Sequence, residues 1–338
     1  MQLDDIFTFE HLYEAHKKCR RSKQHKGEII RFETNLSVNL VKLAEEIHNK
    51  TYRLHYYKKF IIYEPKERVI EAPSYRDRLV LFCFCEYCLK PRFEKRLIYD
   101  NVACRKKKGV AMGIKRLYLF LRREYRLQNN NEIYYLKCDI KKYFLSINHD
   151  ILLKKIKKEK LGEEEIWFIE ELLKGYQSEN KVGLPLGNQT SQWFALFYLD
   201  GVDRLIKEKL KIKGYIRYMD DMILLHRDKK YLQKCLLEIK AFCNKELELS
   251  LNNKTQIGKV SVGIDFLGYR HYLTSTGKIV RKLRVSSRNR LKNHLSTLEK
   301  LERKHLVDED YIKIRKAVFQ AHLKGTSESR KLQDKVQF

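Results

Sequence analysis

Four prolines and fourteen glycines in 338 residues leave this chain with little that breaks a fold into pieces. No Pro-, Gly- or Ser-rich stretch marks a linker that would isolate a domain. Long apolar runs are missing as well. None approaches the roughly 18 to 20 residues that cross a bilayer, so no membrane partner is expected. The first residues carry Asp4, Asp5 and Glu10 where a secretory leader needs an apolar run. Eight cysteines, at 19, 83, 85, 88, 104, 138, 235 and 243, follow neither a disulfide framework nor paired zinc spacing. Reduced thiols and a cytoplasmic location are the expectation. The tightest group, Cys83, Cys85 and Cys88, lies in the apolar stretch Leu79 to Leu89 and reads as buried thiols.

Acidic residues are scarce beside basic ones, 43 Asp and Glu against 71 Lys and Arg, for a formal net charge of +28. Neutralising phosphates releases condensed counterions, so this imbalance predicts a polyanionic partner. Basic clusters at Lys17 to Lys26, Arg105 to Lys108, Lys154 to Lys160 and Arg281 to Arg290 are interleaved with 21 tyrosines and 16 phenylalanines. Cations can follow phosphates while rings stack on bases, which favours a long nucleic-acid track. Hydrophobic residues make up 43% of the chain, enough for a globular molecule with a substantial core.

Periodicity outlines one composite α+β unit with a helical C-terminal appendage. Leu36, Leu40, Leu43 and Ile47 recur at helical spacing; Phe60 to Tyr63 and Arg68 to Ile70 flank a turn at Glu64 to Glu67. Leu79 to Phe93 and Ile114 to Tyr125 read as helices, Asn129 to Asn131 as a loop, and Tyr134 to Ile140 as a strand. Ile151 to Tyr176 is again helical. The loop Gly183 to Gly187 opens a helix from Ser191 to Leu210. Tyr231, Cys235, Ile239 and Phe242 mark another helix, Val260 to Tyr272 reads as strands, and Leu291, Leu295 and Leu298 as a basic helix.

The most informative tetrad is Tyr218-Met219-Asp220-Asp221. It sits between strand-like Ile216 to Tyr218 and Met222 to Leu225, so two carboxylates are lifted on a hairpin tip. Adjacent aspartates repel each other and make poor strand residues. A hard divalent cation would offset that cost, since Mg²⁺ takes one or two carboxylates plus substrate phosphates. Aspartate is also an ordinary turn residue, so the tetrad alone leaves both readings open. A two-ion site needs a further carboxylate from a neighbouring strand. Asp139 is the candidate, 81 residues before Asp220 at the end of strand-like Tyr134 to Cys138, with Tyr143 and Phe144 following at four and five residues.

Asp139, Tyr143 and Phe144 match a D-x-x-x-[FY]-[FY] segment and Tyr218 to Asp221 a Y-x-D-D box, so from about Leu36 to Phe338 the chain resembles a reverse transcriptase. That resemblance implies a right-hand polymerase fold. Residues 1–35 would form a basic helical extension, 36–130 the fingers with part of the palm, 131–275 the palm and 276–338 a helical thumb. Asp139, Asp220 and Asp221, with the Ile140 backbone carbonyl, would hold two Mg²⁺ ions, for which Mn²⁺ can substitute. Phe144 falls at the steric gate that crowds a ribose 2′-hydroxyl. Lys66 and Arg68, in Lys66-Glu67-Arg68-Val69-Ile70, would hold the deoxynucleoside triphosphate. Leu251-Asn252-Asn253-Lys254-Thr255 resembles the L-N-x-x-K-T segment, making Lys254 the acid that protonates pyrophosphate. Phe266, Leu267 and Gly268 resemble the turn that grips the primer, and with Tyr218 and Met219 would touch primer and template.

The loop Gly183 to Gln192 narrows the resemblance. Leu186 and Gln192 stand where group II intron enzymes keep Gln and Pro, giving a G-x-x-x-S-Q pattern similar to reverse transcriptases of diversity-generating retroelements. Gln192 would then lie against the nascent base pair, and error-prone copying of an RNA template into cDNA is implied. The implied partners are the RNA template, the RNA/DNA hybrid, and an accessory protein or noncoding RNA. Antiphage-defence and retron reverse transcriptases share this compact layout and are the alternative. A non-catalytic RNA-binding scaffold is a further reading, against which all three carboxylates argue.

Overall fold

The computed structural model describes residues 2–328 apart from 56, 65, 128–131, 177 and 178. The expected loop at Asn129 to Asn131, Pro65 in the expected hairpin turn, and the end of the expected thumb from 329 onward lie outside the described residues. Helices α1 (Leu3–Ile6), α2 (Phe9–Arg20), α3 (Gly27–Glu33) and α4 (Leu36–His48) precede the hairpin of β1 (Lys58–Ile62) and β2 (Arg68–Ala72). Helix α5 (Tyr75–Phe84) continues through a π turn at Cys85–Leu89 into α6 (Lys90–Arg96), and α7 (Val110–Arg126) leads to β3 (Tyr134–Cys138). Then come α8 (His149–Ile156), α9 (Glu163–Gly175), α10 (Gln189–Tyr198) and α11 (Asp200–Arg204), followed by β4 (Gly214–Tyr218) and β5 (Asp221–His226). Helix α12 (Lys229–Leu247), strands β6 (Gln256–Lys259), β7 (Ile264–Phe266), β8 (Tyr269–Leu273) and β9 (Ile279–Leu283), and helices α13 (Val285–Arg303) and α14 (Glu309–Leu323) complete the order.

Helix starts follow from short polar caps. Thr8, Ser74, Asn148, Asn188, Asp228 and Asp308 each accept a hydrogen bond from a backbone N–H in the first turn of α2, α5, α8, α10, α12 and α14, satisfying donors that have no partner within the helix.

The central sheet is antiparallel with strand order β4-β5-β3-β6. Alternation assigns its faces. Leu136, Cys138, Met222 and Leu224 share a buried cluster with Leu232, Cys235 and Ile239 of α12. Tyr135, Ile223 and Leu225 point the other way, into a cluster with Leu117, Phe120 and Leu121 of α7. Both faces being covered, the strands read as nearly continuous apolar runs, and any charge on them stands out. A second sheet, β7-β8-β9, and the thumb-like pair α13 and α14 share a third cluster through Tyr269, Leu283, Leu291, Leu295 and Phe319.

Three sequence expectations differ in detail. The helical stretch Ile151 to Tyr176 is two helices, because Gly162 caps α9 with an extended backbone. The helix expected from Ser191 to Leu210 starts at Gln189, since Asn188 caps it, breaks at Leu199 between α10 and α11, and ends in a π turn at Leu205–Lys209. Arg281 to Leu283, inside the region 276–338 expected as a helical thumb, belong to strand β9 paired with β8, where Leu283 is buried. Cys83, Cys85 and Cys88 are buried free thiols, as expected.

Candidate active site

Tyr218 pairs with Asp221 across β4 and β5, which leaves Met219 and Asp220 as a two-residue turn. Met219 sits at φ +55°. Right-twisted two-residue hairpins demand positive φ at the first turn position, and a non-glycine residue there carries backbone strain. The tip is therefore a fixed corner that aims Asp220.

The β3–β5 register ends at Cys138 opposite Met222, and one further step sets Asp139 beside Asp221. Beyond that step Asp139 and Asp220 come within side-chain hydrogen-bonding reach of each other. Two carboxylates so close resist double ionisation. Burial first, and then the charge of Asp139, push the Asp220 carboxyl up to about 6. Asp221 faces elsewhere. The Lys137 ammonium lies 3.1 Å from its Oδ1 and donates to the Asp265 carbonyl at 2.7 Å. Burial raises the Asp221 carboxyl, against the opposing pull of Lys137.

Backbone oxygens complete the surroundings. Asn252 N–H donates to the Asp139 carbonyl at 2.7 Å, and Lys141 N–H to the Ser250 carbonyl at 2.9 Å. These bonds flank the bridge between Ile140 and Leu251. Successive carbonyls of an extended segment point to opposite sides, so the Ile140 carbonyl faces away from Leu251, towards the β5 side that bears Asp220. Among the described residues no three His, Cys, Asp or Glu side chains gather closely enough to enclose an ion by themselves. Two carboxylates and a carbonyl nevertheless fit Mg²⁺, a hard cation that keeps positions for water and phosphate oxygens.

Other expected site residues surround this pair. Phe144 is half-buried beside Tyr143, and its carbonyl accepts from Leu184 N–H at 2.8 Å, so the Gly183 to Gly187 loop hangs from the segment after Asp139. Glu71 N–H donates to the Leu186 carbonyl at 2.8 Å, which ties the β1–β2 hairpin to the same loop. Lys66 and Arg68 are exposed on that hairpin and Lys254 is exposed beyond Asn252; no contact brings any of the three to the aspartates. Within α10 all residues from Thr190 to Tyr198 are buried except Gln192. Its Oε1 accepts from the Cys104 thiol at 3.2 Å.

Leu267 and Gly268 both have positive φ, +51° and +86°, forming the tight turn between Phe266 and Tyr269. That turn lines a cavity of about 520 Å³ together with Arg290 and His294 of α13 and Arg315 of α14. His294 reaches Glu64 beside the β1–β2 hairpin at 3.0 Å. Sequence reasoning missed Lys137 and Cys104. Lys137 had a signal, a lone charge inside an apolar strand; Cys104 had none.

A family profile described as reverse transcriptase (RNA-dependent DNA polymerase) matches residues 66–271, more than half of the chain. No curated protein matches in sequence. Among solved structures, apo telomerase from Candida tropicalis truncated from its C-terminal domain is 15% identical with a TM-score of 0.50, covering 72% of this chain and 60% of that one. Telomerase from Candida albicans in complex with a TWJ fragment of telomeric RNA is 13% identical with a TM-score of 0.51, covering 79% and 55%. A further apo telomerase structure from Candida tropicalis is 15% identical with a TM-score of 0.50, covering 88% and 61%. The chain thus spans less than two thirds of the telomerase chains, and at these identities the likeness is one of fold.

Proposed function

The chain belongs to the reverse transcriptase family, and on that premise we propose that it is an RNA-directed DNA polymerase copying an RNA template into cDNA. The observation that carries this reading is the meeting of Asp139 and Asp220 at the tip of a strained hairpin. Asp139, Asp220 and the Ile140 carbonyl would hold divalent cations, Mg²⁺ or Mn²⁺, with Asp221 able to join on leaving Lys137. Once bound, such cations lower the pKa of a primer 3′-hydroxyl and neutralise charge on the departing pyrophosphate.

The chain's own residues do the rest by positioning and electrostatics. Phe144 closes the space around the sugar of the deoxynucleoside triphosphate, Lys66 and Arg68 approach its phosphates as the hairpin folds over, and Lys254 supplies a proton to the leaving group. Tyr218, Met219 and the Phe266 to Gly268 turn hold the primer end and template. The cationic cavity beside that turn supports passage of an RNA/DNA hybrid between residues 36–130 as fingers, 131–275 as palm and 276–338 as thumb, with 1–35 as a basic extension. Gln192, half-open between buried residues of α10, supports an error-prone subclass like that of diversity-generating retroelements, with an accessory protein or noncoding RNA as partner.

Primer extension tests the reading. With Mg²⁺ or Mn²⁺, a primed RNA template and deoxynucleotides, wild type extends the primer, and Asp220→Ala abolishes extension while leaving the melting temperature in place. Wild type and Asp220→Ala that bind RNA equally and both fail to extend, even with the native RNA and accessory protein added, would make the chain a scaffold.

A further inference from the structure

Arg217 is one of the largest fully buried side chains in the molecule, at 0% exposure, and it belongs to the strand that carries the catalytic turn. A guanidinium is expensive to bury unless its donors are matched. Here they are. Nε and Nη2 donate to the two carboxylate oxygens of Asp203 on α11 at 2.8 and 2.6 Å, and Nη2 also donates to the Leu196 carbonyl at 3.1 Å. Asp203 is equally buried and accepts from the Tyr215 hydroxyl at 2.7 Å.

The remaining bond points at the active site. Nη1 of Arg217 donates to the Met219 carbonyl at 3.0 Å. That carbonyl and the Asp220 N–H are two ends of one planar peptide unit, which leads directly into Asp220. A continuous path therefore runs from Asp203 through Arg217 and the Met219–Asp220 peptide to Asp220. The peptide sits next to a residue at φ +55°, a conformation that needs outside support to persist.

We infer that Arg217, held by Asp203, is a positioning residue that locks the Met219–Asp220 peptide and thereby aims the Asp220 carboxylate at the cation site. The inference rests on the polymerase reading for its purpose, although the lock itself is a feature of the free protein. Lysine does not replace the fork, because a single ammonium cannot satisfy Asp203, Leu196 and Met219 in their planar arrangement. Removing Arg217 alone would strand a buried aspartate, so loss of folding and loss of aim would be confounded.

The experiment separates them. A Tyr215→Phe, Asp203→Leu, Arg217→Met triple variant removes the whole polar group and leaves no unpaired buried charge; Arg217→Lys is the second variant. Thermal unfolding, Mn²⁺ binding by electron paramagnetic resonance on the substrate-free protein, and steady-state primer extension are measured for each. The expected result is near-wild-type melting, Mn²⁺ affinity weaker by about tenfold or more, and reduced kcat with the deoxynucleotide KM little changed. Arg217→Lys gives the same pattern if the triple variant does not fold. A folded variant that binds Mn²⁺ and extends primer like wild type overturns the lock. An inert wild type that still binds Mn²⁺ removes the polymerase reading alone, and the binding comparison then decides the lock.

Discussion

Lys137 holds Asp221 across the β3–β5 pair, its ammonium 3.1 Å from Oδ1. The two residues are diagonal neighbours on one face of the sheet, since Lys137 pairs directly with Ile223 and side chains two apart on a strand share a face. The lysine occupies the third carboxylate in the metal-free protein. Lys137→Met leaves that partly buried carboxylate without its partner and costs about 1 kcal/mol of stability in the absence of divalent cations. It also frees Asp221 to bind them. Added Mn²⁺ therefore raises the melting temperature of Lys137→Met more than that of wild type, as thermal unfolding with and without the ion will read; equal increments would rule out competition between lysine and cation.

The raised Asp220 carboxyl gives the metal-free protein a defined pH dependence. Its folded value, about 6, lies above that of an unfolded aspartate, so its stabilising contribution is present below about pH 4 and is lost as pH rises through 6. By linkage the loss amounts to roughly 2 to 3 kcal/mol. Asp220→Asn removes it. Denaturant unfolding from pH 4 to 7 should show wild type losing stability relative to Asp220→Asn, and parallel curves would contradict the raised Asp220 carboxyl. Mn²⁺ binding has the opposite slope, rising over the same interval as the proton leaves.

Phe144→Ala opens the space beside the nucleotide sugar. The expected outcome is a fall of about tenfold or more, roughly 1.4 kcal/mol, in the preference for deoxynucleotides over ribonucleotides, read from kcat/KM for matched pairs. Partial burial beside Tyr143 makes some loss of stability unavoidable, so melting is measured in parallel.

Gln192→Pro and Gln192→Ala alter the misincorporation spectrum while RNA affinity stays within about twofold, a difference below roughly 0.5 kcal/mol. Cys104→Ala, which removes the thiol donating to Gln192, shifts the spectrum in the same direction by a smaller factor. Sequencing of cDNA from a defined template measures all three. Identical spectra would detach this helix from copying accuracy.

Much of this site was written in residue order. The hairpin strands around Asp220 and Asp221 and the strand before Asp139 announce themselves by their apolar runs; the cap Asn188 was hidden inside a loop rich in short polar side chains. The Asp139–Asp220 encounter is not local. It depends on β3 settling beside β5 rather than β4, a long-range pairing that no local pattern in either strand encodes. Lys137 and Arg217 escaped for a related reason: charges in an apolar strand stand out, but their roles stay hidden until the partners that absorb their donors, Asp221 and Asp203, are brought in from 84 and 14 residues away. Strand β9 escaped because Arg281 and Lys282 masked a short alternation that only its neighbour β8 reveals.

Helix α10 constrains how this protein can change. Replacing any of its eight enclosed side chains spends stability, up to about 2 to 5 kcal/mol for a large residue, out of a total that is typically 5 to 15. Gln189, at the first turn, and Gln192 are free of that toll. Natural variation in this helix should therefore concentrate at these two codons, letting lineages diverge in how they copy while the scaffold beneath stays the same.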